Sequence, residues 1–179
     1  MSPQGRPKGK FRSAQHEGTP ISMQKIHSCL WFKSEAEQAM NFYLGIFPNS
    51  KVTNTLRWGD VGPGPKGSIV TCSFEFDGQT VMLLNGNPQF AFTPAVSLVI
   101  NCADQAEVDH YWSKLLDGGQ TMACGWLCDK FGVSWQIVPT MLPKLLTDPD
   151  RAKADRVMAA MMEMIKLDVA TLQKAADAR

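Results

Sequence analysis

The residues best suited to chemistry are few, and they centre on one histidine near the start of the chain. The sequence contains three histidines, and His27 alternates with Cys29 and Trp31. In a β-strand these three side chains would share one face of the sheet. A histidine in that position can act as a general base, a metal ligand or a hydrogen-bonded core residue, and the sequence leaves all three interpretations open. By contrast, we expect His110, on the polar face of a helix, to be solvated.

Most sequence signatures of catalysis are absent. No glycine-rich loop is followed by Lys and Ser or Thr, and no dinucleotide fingerprint follows a strand. Cys124 and Cys128 have the wrong spacing for a zinc knuckle or a redox pair. These absences exclude several common enzyme classes and leave the surroundings of His27 as the main candidate site.

The elements that must position this site show an internal repeat. Residues 30–37 resemble residues 100–107. In each copy an apolar run ends at a helix N-cap residue, Ser34 or Asp104, and a glutamate follows three positions later, Glu37 or Glu107. This pattern predicts a capping box at the start of both helices. A strand that leads into a capped helix, occurring twice, indicates two βα modules and a site formed between two halves.

The hydrophobic periodicity extends each module to β-α-β-β-β. The predicted strands are 25–32, 51–58, 68–76 and 79–84 in the first half, and 95–102, 122–128 and 133–138 in the second. The second half contains a further strand that the pattern defines less well. The predicted helices are 34–47 and 104–116, followed by 141–146, a helix capped by Asp148-Pro149, and a last helix through Val169 and Leu172. Asp77-Gly78 predicts a hairpin turn, and the residues 59–67 predict a long irregular turn.

Composition and charge indicate an ordinary globular protein. The chain has 179 residues, of which 44% are hydrophobic and 20% charged, with a net charge of +1. This length allows one well-formed core, and the charge balance gives no global attraction to nucleic acid or membranes. The five cysteines are an odd number, which favours a reduced, cytoplasmic protein. We expect no membrane span, no signal peptide and no nucleic-acid partner.

The predicted organisation has four parts. Residues 1–23 are rich in Pro, Gly and Ser and carry several basic residues, and we expect a disordered basic tail. The first module is assigned to 24–94, the second to 95–139, and C-terminal helices to 140–179.

Several motifs resemble those of a known family. They are Leu30-Trp-Phe, Asn41-Phe-Tyr, Ile46-Phe-Pro-Asn-Ser50, Gly62-Pro-Gly-Pro65, Leu84-Asn-Gly86, Cys124-Gly-Trp126 and Asp129-Lys-Phe-Gly-Val-Ser-Trp-Gln-Ile-Val-Pro139. With the doubled β-α-β-β-β order, they resemble the PhnB-like, or demethylubiquinone methyltransferase-like, branch of the vicinal oxygen chelate (glyoxalase) superfamily. The resemblance covers about residues 24–175 and implies an α+β glyoxalase-like fold of two βαβββ modules that form cupped mixed sheets, plus C-terminal helices.

The resemblance also implies where a metal would bind. Metal-binding relatives have a histidine in the first strand of each half and a glutamate in the last strand of the second. His27 matches the first position, whereas Ser97 and Gln136 stand at the other two. Serine and a neutral amide are weak ligands for a transition ion, and a stable open site normally needs three protein ligands. We therefore expect no tightly bound metal. If one is bound, His27 and Gln136 are its candidate ligands.

The predicted binding residues line the cavity that the resemblance places between the two halves: His27, Cys29, Trp31, Asn85, Ser97, Trp135 and Gln136. The leading hypothesis is a homodimer that binds a small organic molecule there without a metal. One alternative is a metal-dependent lyase, isomerase or dioxygenase, and another is a structural or regulatory dimer without chemistry. Methyltransferase activity is not expected, because no glycine-rich turn after a parallel strand is available for a methyl donor. The sequence does not decide whether the protein is an enzyme.

Overall fold

The computed structural model describes residues 24–86 and 89–178, so the predicted basic tail lies outside the described residues. The strands are Ser28–Phe32 (β1), Ser50–Arg57 (β2), Ile69–Phe76 (β3), Gln79–Asn85 (β4), Ser97–Cys102 (β5), Gln120–Thr121 (β6), Trp126–Cys128 (β7) and Ser134–Pro139 (β8). The helices are Ala36–Leu44 (α1), Gln105–Leu115 (α2), Met141–Leu146 (α3), Arg151–Met162 (α4) and Val169–Asp177 (α5). No helix in the described residues is both long and apolar enough to cross a membrane.

The predicted repeat is confirmed by the topology of the two sheets. Each is a four-stranded mixed sheet, with strand orders β1-β4-β3-β2 and β5-β8-β7-β6. In both, the first strand runs parallel to the last, and the remaining pairs are antiparallel. Leu30 pairs with Leu83 in the first sheet as Ile100 pairs with Ile137 in the second. The protein therefore has the predicted α+β glyoxalase-like fold with C-terminal helices.

Turn chemistry explains where strands begin and end. Asp77 and Gly78 have φ of 50° and 80°, as the predicted hairpin requires. The predicted strand 122–128 is wrong, because Cys124 and Gly125 adopt left-handed φ of 58° and 81° and interrupt it. As a result β6 and β7 are two short strands on either side of a tight turn.

Of the two predicted capping boxes, the one at α2 is present in part, because Asp104 is the cap but Glu107 bonds the residue before the cap. Asp104 Oδ1 accepts the Glu107 N–H of α2 at 3.0 Å, and Glu107 accepts the Ala103 N–H at 2.7 Å. The box predicted at α1 is wrong, since its N-cap residue is Glu35 and no side chain of the cap residue bonds the helix. Glu37 is paired with Arg57 on β2 at 2.7 Å, so its carboxylate does not fold back over the helix start.

The start of the fourth helix also differs from the prediction. Asp150 is the cap, and its side chain accepts the Lys153 N–H at 3.1 Å. Asp148 accepts the Asp150 N–H at 2.9 Å and pairs with Lys153 at 2.8 Å. The predicted Asp148-Pro149 cap is therefore wrong by two residues, because Asp148 supports the cap instead of forming it.

The two modules share one core. Tyr43 of α1 packs on Phe74 of the first sheet and on Trp135 of the second, with ring centroids 6.1 and 5.5 Å apart. Phe47 stacks in the same way on Phe76 at 4.9 Å and on Trp135 at 5.6 Å. The helix-facing sides of both sheets are thus buried together. The opposite side of each sheet, which we call its open face, is turned away from α1 and α2.

Candidate functional site

The alternation predicted for the first strand is present, and it places two candidate residues on the open face. Leu30 and Phe32 are buried in the core, whereas Cys29 before Leu30 and Trp31 after it are exposed. His27 precedes β1 in irregular backbone and is exposed, so the core interpretation of this histidine is wrong. Its position leaves the imidazole free to meet a ligand or solvent.

The second sheet brings together the other two polar candidates. Gln136 Nε2 donates a hydrogen bond to Ser97 Oγ at 2.9 Å. Ser97 is the Cα partner of Ser134, and Gln136 is the partner of Val99, so all four residues lie on the open face. This diagonal contact between neighbouring strands fixes the orientation of the Gln136 amide.

A cavity of about 390 Å³ lies between the edges of β1 and β5. Its lining includes Cys29 from one module and Ser97 from the other. Phe92 and Val96 supply apolar wall, and Ser134 supplies a further hydroxyl. The structure thus joins Cys29 and Ser97 in one space, with Gln136 connected to it through Ser97.

Partial desolvation sets the protonation of the thiol in this cavity. Burial raises the pKa of Cys29 above its usual value. A raised pKa keeps the thiol neutral near pH 7 and makes it a poor nucleophile. Cys29 is therefore suited to contact a ligand, and its surroundings do not activate it for covalent chemistry.

Two of the predicted site residues, Trp135 and Trp31, lie elsewhere. Trp135 is fully buried on the helix-facing side of β8, where its Nε1 donates to Asp129 at 2.8 Å, so it packs the core and does not share a face with Gln136. Trp31 lies against the backbone of Gly86 and lines a separate cavity of about 350 Å³. The sequence does not reveal either outcome, because it shows alternation but not which face is covered.

Asn85 has a structural role at the start of α1. Its Oδ1 accepts the Ala36 N–H at 2.9 Å, and its Nδ2 donates to the Ile69 carbonyl at 3.1 Å. The amide therefore caps the helix from the end of β4 and ties it to β3. These bonds occupy the polar groups that the predicted ligand contact would need.

Two residues at the cavity were missed by the sequence analysis. Phe92 lines both this cavity and the one beside Trp31, but it lies in the irregular segment after β4, where periodicity gives no signal. Ser134 carries a signal, since it alternates with Gln136 and Val138 on β8. Its contribution could have been inferred from that alternation.

The donor groups of the described residues do not suit a divalent transition ion. Within 24–86 and 89–178, no three His, Cys, Asp or Glu side chains are grouped as such a site requires. Ser97 and Gln136 are hydrogen-bonded to each other, so the amide is engaged as a donor. Among the described residues, the cavity lining thus offers no set of three protein ligands for a transition ion.

Known proteins resemble this chain in both sequence and fold. The sequence model of the 3-demethylubiquinone-9 3-methyltransferase family matches residues 24–138. The PhnB protein from Bacillus cereus is 37% identical, with 65% of this chain and 99% of that chain covered and a TM-score of 0.61. Helices α3 to α5 follow the region that the family model matches. No curated protein matches the chain by sequence.

More distant structures share the fold. Protein PA1353 from Pseudomonas aeruginosa is 19% identical, with 65% of this chain and 97% of that chain covered and a TM-score of 0.57. The fosfomycin resistance protein FosX from Mesorhizobium loti is 14% identical, with 70% and 98% covered and a TM-score of 0.51. The chain therefore belongs to the 3-demethylubiquinone-9 3-methyltransferase (PhnB-like) family and has the glyoxalase-like fold of these structures.

Proposed function

We propose that this protein is a homodimer that binds a small organic molecule in the cavity between β1 and β5, without a tightly bound metal. The observation that carries the proposal is the lining of this cavity, where apolar wall from Phe92 and Val96 meets the polar groups of Cys29, Ser97 and Ser134. Concave sites that combine apolar surface with a few fixed polar groups are typical of small-molecule binding.

The absence of a tight metal site is proposed from the donor set. A FosX structure from Listeria monocytogenes is described as complexed with Mn(II) and 1S,2S-dihydroxypropylphosphonic acid. In the present chain, His27 is exposed before β1, and Ser97 and Gln136 satisfy each other. One imidazole with two weak oxygen donors falls short of the three protein ligands that a stable open site needs.

Methyl transfer is not part of this proposal, although the family name contains it. A nucleotide-bearing methyl donor would suit a glycine-rich turn between a parallel strand and a helix. Here β1 leads into α1 through Lys33-Ser34-Glu35, and each sheet is mixed. The residues present do not fit that cofactor.

The dimer is proposed from the apolar side chains on the open faces. Trp31 is 41% exposed, Leu56 53% and Val99 50%. Large apolar side chains exposed on the faces of both sheets favour association with a partner. A second copy that covers these faces would also close the cavity from the solvent side.

The test combines elemental analysis with thermal unfolding in the presence of small molecules. Dialysed protein is expected to contain much less than one Zn, Mn, Fe or Ni ion per chain. A binding molecule is expected to raise the melting temperature of the wild type, because ligands stabilise the folded state they bind. The variant Ser97→Leu fills the cavity and should lose this response, whereas Ser113→Leu on the exposed face of α2 should keep it.

Two experimental results would each support one of the alternative functions. About one tightly held ion per chain, lost in His27→Ala, would reject the metal-free proposal in favour of a metal-dependent enzyme. If no compound of a broad metabolite set changed the melting temperature, a structural or regulatory role would replace ligand binding.

A further inference from the structure

The cavity between β1 and β5 presents two hydroxyl groups side by side. Ser97 and Ser134 are Cα partners in the parallel pair β5·β8, and both line the cavity. Gln136 Nε2 donates to Ser97 Oγ at 2.9 Å. Because the amide occupies a lone pair of that oxygen, the Ser97 proton points away from Gln136 and is available to another acceptor.

The second hydroxyl belongs to a buried residue and has no hydrogen-bond partner among residues 24–86 and 89–178. Ser134 is 2% exposed. No hydrogen bond to its Oγ is formed by residues 24–86 or 89–178. Among the described residues, no sealed side-chain oxygen or nitrogen lacks a partner, so the Ser134 hydroxyl remains accessible from the cavity. An acceptor on a ligand in the cavity could therefore take the hydrogen bond that the described residues do not supply to this hydroxyl.

The cavity offers no charge to balance an ionised ligand. Its lining, as far as the structure describes it, contains no Lys, Arg, His, Asp or Glu. Cys29 lies there as a neutral thiol, since burial raises its pKa. An anion or a cation would lose hydration on entry without gaining a counter-charge, so neutral molecules are favoured.

We propose that the cavity selects neutral, largely apolar molecules that carry a carbonyl oxygen, such as ketones. The carbonyl oxygen accepts hydrogen bonds from Ser97 and Ser134, and the apolar part of the molecule lies against Phe92 and Val96. Gln136 acts as a positioning residue that orients the Ser97 hydroxyl. This inference rests on the proposed function of the same cavity and specifies its ligand class.

The experiment uses four probes of nearly equal size. Acetophenone carries the neutral carbonyl, α-methylstyrene replaces the oxygen by a CH₂ group, benzoate is an anion and benzamidinium is a cation. Binding to the full-length protein is measured by titration, with NMR shifts of the Ser97 and Ser134 amides reporting the location. Acetophenone is expected to bind most tightly of the four.

The variants assign the hydrogen bonds. Ser97→Ala and Ser134→Ala are each expected to weaken acetophenone binding by roughly threefold to tenfold, the usual effect of one lost hydrogen bond, and to leave α-methylstyrene unchanged. Gln136→Leu should weaken acetophenone binding less than Ser97→Ala does. The control, Ser113→Ala on α2, removes a hydroxyl that bonds the His110 carbonyl and should change no affinity.

The outcomes separate this inference from the broader proposal. If benzoate or benzamidinium bound at these amides as tightly as acetophenone, the ligand class would be wrong while the cavity remained a binding site. Equal binding of acetophenone and α-methylstyrene would remove the role of the hydroxyl pair. If no probe moved these amides and no metabolite changed the melting temperature, both the inference and the proposed function would fail.

Discussion

Asp129 is a buried carboxylate that joins the two modules. Its Oδ2 accepts the Tyr43 hydroxyl of α1 and Trp135 Nε1 of β8, both at 2.8 Å. Its Oδ1 accepts the N–H groups of Phe131 and Val133 at 2.9 and 3.1 Å. Burial raises the pKa of Asp129, and the four hydrogen bonds oppose that shift. The four hydrogen bonds thus hold the carboxylate in place, although its burial disfavours the charged form.

The substitution Asp129→Asn is expected to destabilise the protein by about 1–3 kcal/mol. The amide oxygen can keep the two backbone donors, but its NH₂ group faces Trp135 Nε1–H and leaves that donor without an acceptor. Urea unfolding monitored by circular dichroism gives the difference. An unchanged free energy of unfolding would show that these bonds contribute nothing net.

The same group predicts a pH dependence. Because the pKa of Asp129 is raised in the fold, the folded state binds more protons than the unfolded chain at pH values above the ordinary Asp pKa of about 3.9. Its contribution to stability is therefore present below that pH and is lost as the pH rises through the raised value. The stability advantage of the wild type over Asp129→Asn should be larger at a pH below about 3.9 than at about pH 7. A difference that does not vary with pH would contradict the shift.

Asn85 provides a second prediction for a single residue. Asn85→Ala removes the acceptor of the Ala36 N–H and the donor to the Ile69 carbonyl, and we expect a loss of about 1–3 kcal/mol. Ser34→Ala is the matched control. Ser34 is the cap residue predicted from the sequence, but in the structure the N-cap of α1 is Glu35. Its effect should stay within about 0.5 kcal/mol. Equal effects of the two variants in thermal or urea unfolding would restore Ser34 as the cap.

These residues show what sequence can and cannot reveal at this scale. Positions 97 and 136 follow from the repeat and the family resemblance, and the resemblance also implies which face of their strands lines the cavity. The capping role of Asn85 depends on a contact across 49 positions, and no local pattern encodes it. The pairing of Tyr43 with Asp129 spans 86 positions and is hidden for the same reason.

Among the elements, the loop 59–67 has a defined packing partner. A Cβ on Gly62 or Gly64 would come within 2.1 Å of the Trp58 ring. The loop therefore lies directly over the indole, and its ends are joined by the Gly67 N–H bond to the Trp58 carbonyl at 2.8 Å. The glycines are needed because the backbone approaches the ring too closely for a side chain.

We predict that Gly64→Ala displaces the Trp58 indole and lowers the melting temperature. Its φ lies outside the left-handed region, so the effect is one of close approach. Gly59→Ala is the matched control, since an added Cβ there would meet nothing within 4 Å. The indole N–H resonance of Trp58 reports the displacement. An unmoved resonance in Gly64→Ala would mean that the loop adapts without disturbing the ring.

The predicted element boundaries agree with the structure where neighbouring residues alone determine a turn or a helix. The hairpin at Asp77-Gly78 and the helix Met141–Leu146 match the prediction. The break between β6 and β7 does not, because residues 122–128 have the composition of a strand while Gly125 is held by contacts with distant chain. Its N–H bonds the Ile165 carbonyl, and a Cβ on it would meet Leu167.

For the whole molecule, the proposed dimer would form through the open faces. We predict that the wild type is a dimer in sedimentation velocity and that Val99→Glu shifts it toward monomer, because a charge would have to be desolvated on an apolar surface. Val61→Glu places the same charge on a loop residue that is 89% exposed and should leave the dimer unchanged. A wild type that is monomeric throughout a dilution series would contradict the proposed homodimer.

The doubled topology could be predicted from the sequence, because each half carries its own strand, helix and turn signals. The way in which the halves pack could not. The sequence gives no sign that the rings of Tyr43 and Phe47 contact Trp135 of the other half. Only these contacts in the structure show that the two halves share a common core.

That common core has an evolutionary consequence. A single module on its own would expose the sides of the Tyr43 and Phe47 rings that the Trp135 indole covers. An ancestor with one module would therefore have needed a twin chain to bury this surface. Fusion of two gene copies would then have joined the two modules in one chain, so that each half could diverge in sequence.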